Sequence, residues 1–76
     1  MNKPLTTKDK EEMKMRIYFE YKSKWGGVTG WSDDFTVESL DEAARRADYV
    51  MHRISEIYTV IAHDAANDEE LCRWGM

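Results

Sequence analysis

Cysteine and histidine are the residues of this sequence with the widest chemical range, and they are few. Cys72 is the single cysteine, and His52 and His63 are the two histidines that could serve it as a base. A metal site would combine His63, Asp64 and Cys72, which lack the paired spacing that preorganises zinc ligands. No P-loop, GxGxxG, GxSxG or HExxH motif occurs. We therefore expect no enzyme, cofactor or metal site, with His52 exposed on a helix, His63 in a loop and Cys72 half-buried.

Carboxylates are the second group with chemical potential. Five of them fall within residues 33–42, namely Asp33, Asp34, Glu38, Asp41 and Glu42. Such a cluster can meet basic residues on a partner protein. The alternative is the ordinary preference of acidic residues for the start of a helix, next to a solvated loop. A pair of catalytic carboxylates would need a cleft, and a chain of 76 residues offers little depth for one.

Aromatic residues are the third group. Trp25 and Trp31 flank a glycine pair, and Trp74 lies near the end of the sequence. Tyr18 should point to the uncovered face of a strand, and Tyr58 either joins it or enters the core, depending on strand phase. Exposed Trp and Tyr side chains are typical of interface hot spots and of stacking platforms for single-stranded nucleic acid. The alternative is that the tryptophans seal a thin core, although we expect Trp25 to be exposed.

Composition restricts the function classes further. Fifteen acidic and eleven basic residues give a net charge of −4, which disfavours non-specific binding to nucleic acid and favours a basic partner surface. No apolar run approaches the roughly 20 residues of a membrane span, and residues 1–14 lack the apolar segment of a signal peptide. A lone cysteine is typical of a reducing compartment. The expected location is the cytosol.

The element that must organise these residues is an amphipathic helix over residues 39–54. Ser39 and Glu42 have the spacing of a capping box, and Arg53 complements the dipole at the other end. A helix with one apolar stripe needs an apolar surface beneath it, so we expect a sheet in the flanking segments. The stripe consists of residues three or four apart: Leu40, Ala43, Ala44, Ala47, Val50, Met51 and Ile54.

The segments before the helix alternate with a period of two, as strands do. Residues 14–22 place Met15, Ile17, Phe19 and Tyr21 on one face, which we expect to meet the helix. The glycine pair predicts a turn. Residues 31–37 then read as a returning strand with Trp31, Asp33, Phe35 and Val37 on one face. An aspartate on that face predicts a bulge within residues 32–34 or a strand that begins at Asp34.

The segments after the helix continue the sheet. Residues 55–62 are rich in β-branched side chains, which favours a strand over a continued helix. Residues 63–68 predict a turn. Residues 69–74 fit a further strand, with a last helical turn as the alternative.

The predicted fold is α+β, a small antiparallel sheet in the order ββαβ or ββαββ, with the helix over residues 39–54 on one face. The expected strand order is 2-1-3 or 2-1-3-4, and the other sheet face stays open. Residues 1–13 are predicted to be a flexible N-terminal arm, and residues 14–76 a single domain.

The pattern from MRIYFEYK to SLDEAARRADYV resembles the small sheet-and-helix domains at the N-termini of phage integrases, which bind DNA through the sheet. Such sheets carry many Lys and Arg residues, whereas the second predicted strand here carries Asp33 and Asp34, so direct binding to nucleic acid is disfavoured. A nucleic-acid-binding surface on this chain would use Tyr18, Trp25, Arg16, Lys22 and Lys24.

The short, acidic chain is also similar to the small accessory proteins of phages and mobile elements, of which anti-CRISPR inhibitors are the best-known group. This resemblance is one of composition. It implies a cofactor-free inhibitor that occupies a basic, nucleic-acid-binding surface of a host complex.

These observations predict a non-enzymatic protein-binding module, of the phage-inhibitor type, that docks an acidic and aromatic surface on a basic host protein or ribonucleoprotein complex. The alternatives are a nucleic-acid-binding domain that uses the open sheet face and a homodimer formed through that face. No membrane partner is expected. The predicted partner-binding residues are Tyr18, Trp25, Trp31, Asp33, Asp34, Glu38, Asp41 and Glu42.

Overall fold

The computed structural model of the protein describes residues 14–75, in which one helix packs on a five-stranded antiparallel sheet. The α+β class is confirmed, and the C-terminal segment forms a strand. The arm predicted over residues 1–13 lies outside the described residues, as does Met76. The elements in chain order are β1 (Met15–Lys22), β2 (Val28–Trp31), β3 (Phe35–Val37), α1 (Leu40–Arg53), β4 (Thr59–Asp64) and β5 (Glu70–Gly75).

Strand β1 lies at the centre of the sheet. It pairs with β4 on one side and with both β2 and β3 on the other, and β5 continues the sheet beyond β4. This is the predicted order 2-1-3-4, with the second strand divided in two. Residues directly opposite each other in an antiparallel ladder point to the same face. We call the face beneath α1 the inner face and the other one the open face.

The inner face of β1 carries the core. Ile17 and Phe19 are buried, and the ring of Phe19 meets the rings of Phe35 and Trp74 edge-on, with centroids 4.9 and 6.1 Å apart. Aromatic pairs prefer this edge-to-face arrangement because it aligns a ring edge with a neighbouring π-face. Val37, opposite Met15, is also buried. The predicted alternation of β1 is therefore confirmed, and Phe35 and Val37 face the helix as expected.

Helix α1 begins as the capping box predicts. The Ser39 hydroxyl accepts from the Glu42 backbone N–H at 3.2 Å, and Ser39 itself is extended, as an N-cap should be. The Glu42 carboxylate reaches one residue further back than the motif prescribes and accepts from the Glu38 N–H at 3.3 Å. At the other end the Ile54 N–H donates to the Val50 carbonyl. Both predicted helix boundaries are confirmed.

The buried part of the apolar stripe of α1 is shorter than predicted. Ala43 and Ala47 are fully buried, whereas Leu40 and Ile54 are 39% and 45% exposed. Two alanines at the contact allow the helix to lie close to the sheet, while the residues at its two ends stay partly exposed. The expectation that Leu40 and Ile54 contribute to the core was wrong.

The second predicted strand is broken where irregularity was expected. At the break, Ser32 bonds Phe19 twice: its N–H donates to the Phe19 carbonyl, and its hydroxyl accepts from the Phe19 N–H, both at 2.8 Å. The break shifts by one residue the alternation of side chains between the two faces of the sheet. Trp31 lies opposite Glu20 on the open face, but Phe35 lies opposite Ile17 on the inner face. The prediction that Trp31 and Phe35 share a face was therefore wrong.

Strand β4 begins and ends later than predicted. Residues 55–58 make the turn from helix to sheet, where Tyr58 donates its N–H to the Lys22 carbonyl. Tyr58 therefore precedes β4 instead of belonging to either face of it, and it is 36% exposed. His63, expected in a loop, is a residue of β4. The turn that follows is closed at Asp68, which has a positive φ of 63° and donates its N–H to the Asp64 carbonyl at 2.7 Å.

Candidate functional site

Trp25 projects from the turn between β1 and β2. The Gly26 N–H donates to the Ser23 carbonyl, the Ser23 N–H donates to the Gly27 carbonyl, and Gly26 has a φ of 85°, a conformation that glycine adopts without strain. The predicted glycine turn is confirmed. Trp25 has no core to enter at this position and is 87% exposed, with the Lys24 Nζ 5.4 Å from its ring centroid.

Trp31 is the second exposed tryptophan, at the end of β2. It is 62% exposed on the open face, opposite Glu20. Val28, at the start of the same strand, lies opposite Lys22 and is 45% exposed. Because β2 is an outer strand, these apolar side chains lie at a margin of the sheet.

Asp33 and Asp34 lie in the break between β2 and β3, on the same margin. Both are exposed, and an Asp34 carboxylate oxygen is 3.4 Å from an Arg16 guanidinium nitrogen. Asp33 makes no ion pair within residues 14–75. The break in the ladder thus turns two carboxylates to solvent beside Trp31. We call Trp25, Trp31, Asp33 and Asp34 the acidic–aromatic strip.

Glu38, Asp41 and Glu42 lie at the far end of this margin from Trp25. The turn that carries Trp25 follows Lys22, whereas the chain enters α1 just after Val37, which pairs with Met15. The seven residue steps from Met15 to Lys22 span about 23 Å. Seven of the eight predicted site residues are therefore spread between the Trp25 turn and the start of α1, and they do not gather into a pocket.

Tyr18, the eighth predicted residue, belongs to a different group of side chains. Its hydroxyl donates to an Asp68 carboxylate oxygen at 2.9 Å, and its ring stacks on that of His63 with centroids 5.0 Å apart. Packing in the sheet surface and the hydrogen bond to Asp68 raise the pKa of Tyr18 above its ordinary value. Tyr18 is on the open face as expected, but it is held there by its neighbours.

Sequence reasoning missed a pair at the centre of this group. His63 Nε2 and a Glu20 carboxylate oxygen are 2.7 Å apart, and the side chains of His63 and Glu20 are only 14% and 16% exposed. The other His63 ring nitrogen lies 3.3 Å from the Asp68 carbonyl oxygen. With both ring nitrogens occupied, His63 presents neither to a ligand. The alternation Thr59, Ile61, His63 would have placed the histidine on this strand.

Arg73 and Glu70 extend the polar cover of the open face onto β5. The guanidinium of Arg73 donates to both Glu70 carboxylate oxygens, at 2.7 and 3.1 Å, and this hydrogen bonding lowers the pKa of Glu70 below its usual range. Ile61 lies between Glu20 and Arg73 in the ladder and is 2% exposed. Polar side chains thus cover the centre of the open face, and its exposed apolar residues lie at the margins.

The remaining candidates for chemistry are kept apart. Cys72 is half-buried opposite Ala62 on the inner face, away from His63 on the open face. His52 is a 77% exposed helix residue whose ring contacts Asp48. Within residues 14–75, no group of three or more His, Cys, Asp or Glu side chains could hold a metal ion.

No protein-family model, curated protein or solved structure matches this chain. Over the part of the chain that the structure describes, no helix combines the length and apolar character needed to cross a membrane.

Proposed function

We propose that this protein is a non-enzymatic protein-binding module that docks its acidic–aromatic strip on a basic surface of a larger partner. The observation that carries the proposal is the exposure of Trp25 and Trp31, 87% and 62%, beside the unpaired carboxylate of Asp33. Large aromatic side chains carry much of the binding energy of protein interfaces. Here two of them lie on one margin of a small domain.

Charge supports a basic partner. The chain has a net charge of −4, and Asp33 and Asp34 are followed, after the short strand β3, by the carboxylates at the start of α1. Acidic side chains around aromatic anchors would raise the rate of encounter with a basic surface and orient the complex. At the helix start, the exposed carboxylates of Glu38 and Asp41 would extend this interface, whereas Glu42 is half-buried.

A basic surface of this kind is typical of a nucleic-acid-binding protein or a ribonucleoprotein complex, and occupying it would inhibit that partner. The proposal is therefore an inhibitor of the phage type that acts in the cytosol of a host cell. The narrower proposal of an anti-CRISPR inhibitor rests on compositional resemblance alone. The lone cysteine is consistent with a reducing compartment.

Direct binding to nucleic acid has less support. Arg16 is paired with Asp34, and Tyr18 and Glu20 separate it from Lys22 along the open face of β1. The basic residues therefore do not form the continuous groove that tracks a phosphate backbone. A homodimer through the open face would have to cover the polar group around Glu20 and His63.

Affinity capture from host lysate tests the proposal. Wild-type protein and a variant with Trp25→Ala, Asp33→Ala and Asp34→Ala serve as baits. We expect the variant to lose a protein that the wild type retains, because removing a hot-spot tryptophan costs about 2 kcal/mol or more, roughly thirtyfold in affinity. Capture should also weaken as salt is raised.

A matched control removes the same chemistry elsewhere. Leu71→Ala, Asp48→Ala and Glu56→Ala together delete one exposed apolar side chain and two carboxylates far from the strip. This control should capture the partner as the wild type does. If the strip variant and the wild type retain the same proteins equally, the proposed surface is wrong.

A further inference from the structure

The inner face of the sheet is not fully covered by α1. An open groove with a volume of about 510 Å³ runs between the helix and the β1–β2 side of the sheet. Phe19, Tyr21 and Phe35 line it from the sheet, and Tyr49 and Val50 line it from the helix. We call this the aromatic groove. It lies on the opposite face from Trp31 and the Glu20–His63 pair.

Two small residues leave the groove open. Gly30 lies opposite Tyr21, and Ser32 is bonded to the backbone of Phe19, so the outer strand supplies no large side chain to cover these rings. A Cβ placed on Gly30 would meet nothing within 4 Å. The backbone of the helix approaches β3, β4 and β5 more closely than β1, and the groove lies over Phe19 and Tyr21 of β1.

The rim of the aromatic groove is cationic. Arg45 and Arg46 line it, both are exposed, and neither forms an ion pair within residues 14–75. The Arg46 guanidinium lies 5.0 Å from the ring centroid of Phe35. Glu42 also lines the groove, but one of its carboxylate oxygens accepts from the Glu38 N–H. Glu42 offsets one of the two positive charges, so the lining residues keep a net positive charge beside an apolar floor.

We propose that the aromatic groove binds an acidic segment of a partner protein, with an apolar side chain against the aromatic floor and flanking carboxylates on Arg45 and Arg46. Guanidinium groups pair with carboxylates through two parallel hydrogen bonds, which favours this anion over a diffuse charge. Because the groove is open rather than closed, a peptide chain can continue past it. The inference is independent of the basic partner proposed for the acidic–aromatic strip.

A nucleic acid fits the groove less well. Phe19 is 2% exposed, and the Arg46 guanidinium lies over the ring of Phe35, so neither ring is open to a stacking base. The ring of Tyr49 is 62% exposed, but the Arg53 guanidinium lies 5.6 Å from its centroid. An apolar side chain needs no free ring face, only apolar contact. The groove thus favours a protein segment.

The test is a titration of the isotope-labelled full chain with synthetic peptides, followed by amide NMR at low salt. The peptides place one phenylalanine between acidic, neutral or basic flanks. We expect saturable shifts around Tyr21, Phe35 and Tyr49 with the acidic peptide, weaker binding with the neutral one and none with the basic one.

Two variants probe the two halves of the groove. Arg45→Ala with Arg46→Ala should weaken binding of the acidic peptide by about twofold to thirtyfold, since two exposed ion pairs are lost. Lys14→Ala with Lys24→Ala removes the same charge from exposed positions outside the groove and should leave the affinity unchanged. Gly30→Leu should fill the groove and abolish binding while both arginines remain; Gly30→Val serves if the larger side chain prevents folding.

Four outcomes overturn the inference. The inference is wrong if the acidic and neutral peptides bind equally, or if the acidic peptide shifts the amide signals of residues outside the groove. It is also wrong if the Gly30 variants retain full affinity for the acidic peptide. The last is that a single-stranded oligonucleotide binds the same residues more tightly than the acidic peptide, in which case the groove is a nucleic-acid site instead. None of these outcomes bears on the acidic–aromatic strip, whose test uses a different surface and a partner of opposite charge.

Discussion

The pair formed by Glu20 and His63 makes the sharpest stability prediction. Their side-chain atoms are 2.7 Å apart across the β1–β4 ladder, at 14% and 16% exposure. Truncating either residue leaves the other without its partner in a poorly solvated position. His63→Ala also removes the ring that stacks on Tyr18.

The expected magnitudes follow from these contacts. A hydrogen bond to a charged group contributes about 1.5–3 kcal/mol, so Glu20→Ala should lower the free energy of unfolding by about that amount. His63→Ala should cost about 0.5–1.5 kcal/mol more, because it also removes the aromatic pair with Tyr18. Since both variants remove the same bond, the double variant should cost less than the sum, with a coupling energy of about 1–2 kcal/mol.

Urea unfolding followed by tryptophan fluorescence measures all four free energies at one pH and salt concentration. Arg73→Ala with Glu70→Ala serves as the exposed comparison. Its partners are 57% and 42% exposed, so its coupling should fall below about 1 kcal/mol. A coupling energy for Glu20 and His63 below about 0.5 kcal/mol would refute the view that this pair holds the centre of the open face together.

Further predictions concern single positions. Gly75→Ala should cost more than about 2 kcal/mol in unfolding free energy by urea titration, because φ is 104° and the added Cβ would clash with the Tyr58 carbonyl oxygen. Gly30→Ala, in open space without a positive φ, should instead stabilise by about 0.4–1 kcal/mol. Ser39→Ala should cost about 1 kcal/mol through the lost helix cap. In an alkaline NMR titration, Tyr18 should ionise above its ordinary pKa of about 10, and Asp68→Asn should lower that pKa. Because the pKa of Tyr18 is raised in the folded state, its protonated hydroxyl contributes to the stability of the fold. This contribution is complete below a pH of about 10 and is lost as pH rises through the pKa of the folded state.

Local patterns predicted most of the fold because they act within a few residues. The Ser39 cap, the alternation of β1 and the glycine turn each depend on neighbours in sequence, and each is confirmed. The position of Asp33 on an apolar face even located the break between β2 and β3. The phase change across that break could not be predicted, because it depends on how Ser32 bonds to Phe19 on another strand.

The candidate sites were less predictable for the same reason. Trp25 was expected to be exposed from its glycine neighbours, and it is. The Glu20–His63 pair joins residues 43 positions apart in sequence and required the register of β4. The aromatic groove depends on a residue that is small, Gly30, lying opposite Tyr21. The lack of a side chain at this position matters only once the pairing of β2 with β1 is known.

The central claim is that a partner docks on the acidic–aromatic strip, and photo-cross-linking tests it most directly. A photoreactive phenylalanine analogue is placed at Trp31 in one protein and at Asp48, on the exposed side of α1, in another. The first protein should form an adduct with a basic host protein in lysate, and the second should not. An adduct that forms equally from both positions, or only from position 48, would contradict the central claim.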